Sequence, residues 1–201
     1  MRPRLLLATR NRAKIREYSL LLQEAPLDLI DLEAEGIEGE VVETGATLRD
    51  NAVLKATGYG VGEEYLVLAD DSGLEVDALG GEPGPLSARY AGESASDAQR
   101  IDLLLSRLAG VPWERRVACF RAVVAIARKS RLVCVCDGFC EGVITLEPRG
   151  TQGFGYDPVF YLPELGRTMA ELSIEEKNRV SHRGRATAEA VRFLREYVKE
   201  G

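Results

Sequence analysis

Short continuous apolar runs alternate with amphipathic stretches along this chain, and the alternation predicts where strands and helices fall. Leu5–Thr9 is apolar enough for a buried strand, and the polar loop TRNRAK leads from it into a helix through about Gln23, with Ile15, Tyr18 and Leu22 at helical spacing. Leu27–Leu32 predicts a second strand, followed from Glu33 to Gly45 by an acidic, glycine-bearing loop with little apolar content. Thr47 caps a predicted helix over Leu48–Tyr59, which places Asn51 and Lys55 on one face. Tyr65–Ala69 predicts a buried strand, and the turn-formers Asp70, Asp71, Ser72 and Gly73 place its end there. Ser94 or Ser96 caps an amphipathic helix carrying Ile101, Leu104, Leu105 and Leu108, which Gly110 and Pro112 end. Arg116–Ala127 and Leu132–Ile144, parted by the polar RKSR, predict an antiparallel hairpin and a second lobe. The spacing Ser173 to Glu176 is a capping box opening a short helix that ends near Val180, with Lys177 on its exposed side. A last helix is expected over Arg185–Lys199. The class is α/β with a mixed sheet.

Composition narrows the setting. With 201 residues, 45% hydrophobic, the chain can bury a substantial core, and no compositional break divides it, so residues 1–201 are expected to form one domain. A net charge of −6 argues against a surface built to neutralise a nucleic-acid polymer. The apolar run Leu5–Ala8 is too short for a signal-peptide core, and nothing approaches the ~18 apolar residues of a spanning helix, so the expectation is a soluble, cytoplasmic protein without membrane contact. Cys119, Cys134, Cys136 and Cys140 fall in or beside apolar runs, without a CxxC pair or clustered histidines, and are expected to be packed thiols.

Four segments carry candidate chemistry, each with a plain alternative. Asp70 and Asp71 offer the hard oxygen donors that Mg²⁺ takes together with substrate phosphates, and an ordinary Asx turn has the same letters. Adjacent side chains on a strand point to opposite sides, so one carboxylate is expected to face a site and the other to brace it. The strand–loop–helix junction at Thr9–Lys14 suits phosphate, yet Asn11 can equally be a helix cap. The run GTQGFGYDPVFY interleaves glycines with aromatics and can bring backbone close to a flat ligand, or form a hairpin edge. His182, the single histidine, stands with Arg183 just before the last helix, a position suited to a polar or anionic ligand, and a lone histidine can equally be structural.

Taken together, TxNxxK at Thr9–Lys14, ETGxT at Glu43–Thr47 with Lys55, DDSGLEVDALGGxPG at Asp70–Gly84, FGYDP at Phe154–Pro158 and SHRG at Ser181–Gly184 form an ordered set. By these motifs the chain resembles the inosine/xanthosine triphosphate pyrophosphatase family, from about Leu5 to the final helix. The resemblance implies a long mixed central sheet flanked by helices, two lobes around a cleft, a homodimer, Mg²⁺ dependence, and hydrolysis of noncanonical purine nucleoside triphosphates (ITP, dITP, XTP) to monophosphate and pyrophosphate. It carries the phosphate-binding loop onto Thr9, Arg10, Asn11, Arg12, Ala13 and Lys14, the metal-linked general base onto Asp71, a further metal contact onto Glu43, and a nucleotide contact onto Ser72. Asp70 and Lys55 become supporting polar groups, and Phe154, Gly155, Tyr156, Asp157, Lys177, His182 and Arg183 the base and sugar site. Arg10 stands where many members of the family carry a small residue. On this reading donors near His182 and Arg183 meet the 6-oxygen of inosine and xanthosine, and the 6-amino group of adenine is rejected. Two other classes stay open: a nucleotide sensor without turnover, and a phosphatase that removes only the terminal phosphate.

Overall fold

A computed structural model describes residues 2–60 and 65–200. Its strands form one eight-stranded mixed sheet in the order β2-β1-β3-β5-β6-β7-β8, with β4 paired to β3 off that path. The strands are β1 (Arg4–Leu7), β2 (Asp28–Asp31), β3 (Leu66–Val76), β4 (Pro83–Gly84), β5 (Val117–Arg128), β6 (Arg131–Ile144), β7 (Phe160–Leu162) and β8 (Arg167–Thr168). The helices are α1 (Arg12–Leu21), α2 (Leu48–Tyr59), α3 (Asp97–Arg107), α4 (Ile174–Val180) and α5 (His182–Glu200). Strand β1 runs parallel to β2 and to β3, whereas β3–β4, β6–β7 and β7–β8 are antiparallel. Lys129 and Ser130, both at positive φ, join β5 to β6 in the manner of a two-residue hairpin turn. No helix among the described residues is long and apolar enough to cross a membrane.

The chain divides into two compact units. The first comprises Met1–Asp71, Ala122–Gly138 and Arg183–Gly201, the second Ser72–Arg121 and Phe139–His182.

In the first unit the period of two along the strands sorts the core onto two faces. Leu5, Leu7, Leu66, Leu68, Ala122, Val124 and Ile126 face one way, under Tyr18 and Leu22 of the α1 segment and Ala186, Ala190 and Leu194 of α5. Leu6, Ala8, Val67, Ala69, Val123, Ala125 and Ala127 face the other, under Leu48, Ala52 and Ala56 of α2. Both faces are covered, which is why these strands read as continuous apolar runs rather than alternating ones. Each buried leucine contributes roughly 1.5–3 kcal/mol, so the two layers hold the sheet firmly. In the second unit Leu74, Val76, Ala118, Phe120 and Ile144 pack with Ile101, Leu104 and Leu108 of the α3 segment and with Tyr156, Phe160 and Met169.

Two expectations change. Strand β3 does not end at Asp70 but runs through DDSG to Val76. Asp and Gly are poor strand formers, yet each carboxylate here has cationic or amide partners and Gly73 is required by close packing, so tertiary contacts outweigh propensity. Strand β1 pairs with β3 only as far as Leu68, so the two acids lie just beyond the end of that neighbour. The last helix begins at His182, not Arg185, so His182 and Arg183 form its first turn.

Candidate functional site

The site residues fall into two clusters, one in each unit. In the first, Asn11 caps α1, its Oδ1 accepting from the Ala13 and Lys14 amides at 2.9 and 3.2 Å. Thr9 Oγ1 accepts from the Asn11 amide at 3.2 Å. Two of the helix N-terminal amides expected to face phosphate are therefore already taken by the cap, and the anion-binding capacity of this loop rests on side chains. Arg10 points elsewhere: its guanidinium donates to the carbonyls of Ile37 and Gly39 at 2.6 and 3.0 Å, fastening the acidic 33–45 loop beside α1. Arg12 is exposed.

Asp70 is the brace. Its side chain is fully buried, with Lys14 Nζ 3.0 Å from both carboxylate oxygens and Arg183 Nε 3.4 Å from Oδ2. Burial alone would raise this carboxyl, but the charges of Lys14, Arg183 and Lys55 outweigh it and hold it at about 2. The same burial pulls the Lys14 ammonium below its ordinary range. Arg183 also reaches Glu17 Oε2 at 3.2 Å. Glu17, only 3% exposed, is a member of this charged cluster that pattern reading missed. The available signal was a carboxylate on the apolar side of α1, three residues after Lys14 and beside Tyr18.

Asp71 keeps different company. Its Oδ2 accepts from Asn51 Nδ2 at 3.1 Å, and Lys55 Nζ lies 3.8 Å from its Oδ1 and 3.0 Å from Glu43 Oε1. Asn51 Oδ1 in turn accepts from the Gly45 amide at 2.8 Å, so one α2 side chain holds both Asp71 and the segment that follows Glu43. Burial, and then Glu43, push the Asp71 carboxyl up past the opposing pull of Lys55 and Lys14. The Lys55 ammonium, desolvated but facing Asp70, Asp71 and Glu43, is raised. Three cations, Lys14, Lys55 and Arg183, thus meet four carboxylates, Glu17, Glu43, Asp70 and Asp71, and the cluster carries a formal excess of one negative charge. A divalent cation would turn that to a positive excess suited to phosphate.

The oxygens of Asp71 and Glu43, already sharing one ammonium, are the hard donors a magnesium ion takes. Among the described residues no group of three His, Cys, Asp or Glu side chains could hold a metal ion. Two carboxylates completed by water and substrate phosphate is the usual protein contribution to a Mg²⁺ site, so the residues fit that ion.

The second cluster is built around residues 154–157. Phe154 is half-buried, and its amide donates to Asp157 Oδ2 at 2.9 Å. Lys177 pairs with the same oxygen and lies 4.8 Å from the centre of the Phe154 ring. Lys177 is therefore not on the exposed side of α4: its side chain and that of Asp157 are each 3% exposed, and this buried pair fixes the floor beneath Phe154. Gly153 is at φ +75°, and a Cβ there would lie 2.1 Å from Asp157 Oδ2, so only glycine lets the loop close over its own carboxylate. Tyr156 turns into the core and donates from its hydroxyl to Ser87 O at 3.0 Å. His182 is buried and stacked on Phe120, centroids 4.7 Å apart and 14° from parallel. Ser72 is half-buried on β3. Asp97, which the sequence did not single out, accepts from the Gly155 amide at 2.7 Å.

The structure thus gathers Thr9–Lys14, Glu43, Lys55, Asp70, Asp71 and Arg183 in one unit, and Ser72, Phe154–Asp157, Lys177 and His182 in the other.

The sequence profile of the Ham1 family matches residues 5–193. The chain is 50% identical over 182 residues to a dITP/XTP pyrophosphatase of Geobacillus kaustophilus (strain HTA426), covering 90% of this chain and 89% of that one. It is 43% identical over 189 residues to the dITP/XTP pyrophosphatase of Halalkalibacterium halodurans, covering 94% and 97%. A HAM1 protein from Coxiella burnetii superposes with a TM-score of 0.87 at 40% identity, over 96% of this chain and 99% of that one. The Ham1 protein of Staphylococcus aureus does so with a TM-score of 0.85 at 38% identity, over 96% and 99%.

Proposed function

The chain belongs to the Ham1 family, and from that premise we propose that it hydrolyses dITP, ITP and XTP to the nucleoside monophosphate and pyrophosphate, with Mg²⁺, clearing noncanonical purines from the nucleotide pool. The observation that carries the reading is the division of labour between the paired acids: Asp70 held by Lys14 and Arg183, Asp71 held by Asn51 and sharing Lys55 with Glu43.

Asp71 and Glu43 would hold the metal. Bound there, Mg²⁺ would polarise the phosphate oxygens and supply counter-charge for the charge building on the leaving group. Asp71, its orientation set by Asn51, accepts the proton of the attacking water. Attack at the α-phosphorus breaks the bond to the β-phosphate oxygen, leaving monophosphate and pyrophosphate. Lys14, Lys55 and Arg12 neutralise the triphosphate, and the amides of Ala13 and Lys14 add to them only if the Asn11 cap yields. In the other unit the Phe154 ring, steadied by Lys177 and Asp157, supplies a stacking face for the base, with Ser72 and the first turn of α5 as further contacts.

The test is Asp71→Asn. It should lower kcat for dITP by about 10²–10⁴-fold, the contribution of a positioned proton acceptor, while dITP binding is kept. A variant within threefold of the parent kcat would remove Asp71 from the chemistry. The protein is further proposed to be a cytoplasmic homodimer. Light scattering at micromolar concentration should give twice the 22.0 kDa chain mass, and a monomer mass across that range would refute the dimer.

A further inference from the structure

Residues 154–157 are braced from two sides, and only one brace belongs to the base site described above. Asp157 and Lys177 hold the loop from within. From outside, the first residue of α3 reaches across: Asp97 Oδ2 accepts from the Gly155 amide at 2.7 Å. That carboxylate is itself held, because Arg100, one turn on, pairs with Asp97 Oδ1. Arg100 in addition donates to the carbonyls of Ala88, at 2.9 Å, and Ala95, tying the 88–95 segment to the same point. The helix end that carries Asp97 is firm, with Ser96 and Gln99 forming a reciprocal capping box and Ile101 and Leu104 buried beneath. Gly155 is at φ +62° with open space where a Cβ would lie, so the loop gains no packing of its own at this residue and is fixed there by hydrogen bonding.

We infer that Asp97, oriented by Arg100, is a positioning residue for the base: it sets the backbone at Gly155 and so the attitude of the neighbouring Phe154 ring, without touching the nucleotide. The inference rests on the reading of Phe154–Asp157 as the base site. An anionic acceptor on a backbone N–H is among the stronger hydrogen bonds. Its loss therefore frees the loop specifically, while the phosphate-binding cluster, whose side chains lie elsewhere, is left as it was.

The experiment compares the full-length parent with Asp97→Ala, Asp97→Asn and Arg100→Met by equilibrium binding of dITP and of inorganic tripolyphosphate, a probe with no base, and by steady-state hydrolysis of dITP. Asp97→Ala is expected to weaken dITP binding and raise KM about tenfold, with kcat within about twofold and tripolyphosphate binding unchanged. Asp97→Asn keeps an acceptor oxygen and should recover most of that loss, and Arg100→Met should show a weaker change in the same direction. Should Asp97→Ala lose its cooperative melting transition, Arg100→Met and Asp97→Asn carry the test alone. Equal dITP affinity in parent and folded Asp97→Ala overturns the inference, as does a parallel weakening of dITP and tripolyphosphate. A parent that binds dITP no tighter than tripolyphosphate overturns the base-site reading and the inference with it, a result visible in the parent alone.

Discussion

A lysine ammonium withdrawn from water needs a carboxylate of equal burial, and Lys177 has one in Asp157. Removing one member of such a pair leaves an uncompensated buried charge and costs about 3–5 kcal/mol, whereas replacing both by apolar groups of similar volume is close to neutral. Lys177→Met should therefore lower the melting temperature markedly, and the double variant Lys177→Met, Asp157→Leu should regain most of the loss while losing dITP affinity. Thermal unfolding of both variants and the parent checks it, and a Lys177→Met variant as stable as the parent would contradict the pairing. This pair was only half legible in the sequence. A lysine in a seven-residue helix, directly after two glutamates, reads as solvated, and its partner lies twenty residues away, brought near only by the fold. Glu17 escaped notice for a related reason, since its partner Arg183 is 166 residues distant.

Elements show where local rules hold and where packing overrides them. The capping boxes at Thr47, Ser96 and Ser173 set helix starts that could be placed from the letters, because a cap is satisfied within four residues. The strand through Asp70–Gly73 could not, because what keeps it extended is supplied by Lys14 of α1 and Arg183 of α5 at Asp70, by Lys55 of α2 at Asp71, and by pairing of Leu74 and Glu75 with β4. Gly73 makes the second point quantitative. A Cβ there would lie 2.2 Å from the Gly84 carbonyl oxygen and 3.1 Å from Ser87 Oγ, the group that accepts from the Leu74 amide at 2.8 Å. Gly73→Ala must push β4 away and break that bond, a cost of about 1–3 kcal/mol for overpacking. Denaturant unfolding should show the drop, with a parent-like midpoint contradicting the contact. Because Gly73 follows directly after Asp71 and Ser72 on β3, the same variant should lose activity beyond its loss of stability.

At the scale of the whole molecule, the acidic net charge describes the surface and conceals a local balance. Three cations and four carboxylates gather around the end of β1, leaving one negative charge that a bound divalent ion would reverse. The motifs marked this cluster and the aromatic loop, since each motif is short and its spacing is fixed by a single turn or cap. The supports were hidden, because Glu17, Asn51 and Asp97 act through contacts made between segments far apart in the chain. The most direct measurement is product analysis by phosphorus NMR after incubation with Mg²⁺ and, in turn, dITP, ITP, XTP, GTP and ATP. dITP, ITP and XTP should yield monophosphate and pyrophosphate in equal amounts, GTP slowly, with kcat/KM for ATP lower by at least about a hundredfold, as two unpaired buried donors would impose. Orthophosphate as the product, or tight binding of dITP with no product, would contradict the account, and ATP matching dITP would contradict its base selectivity.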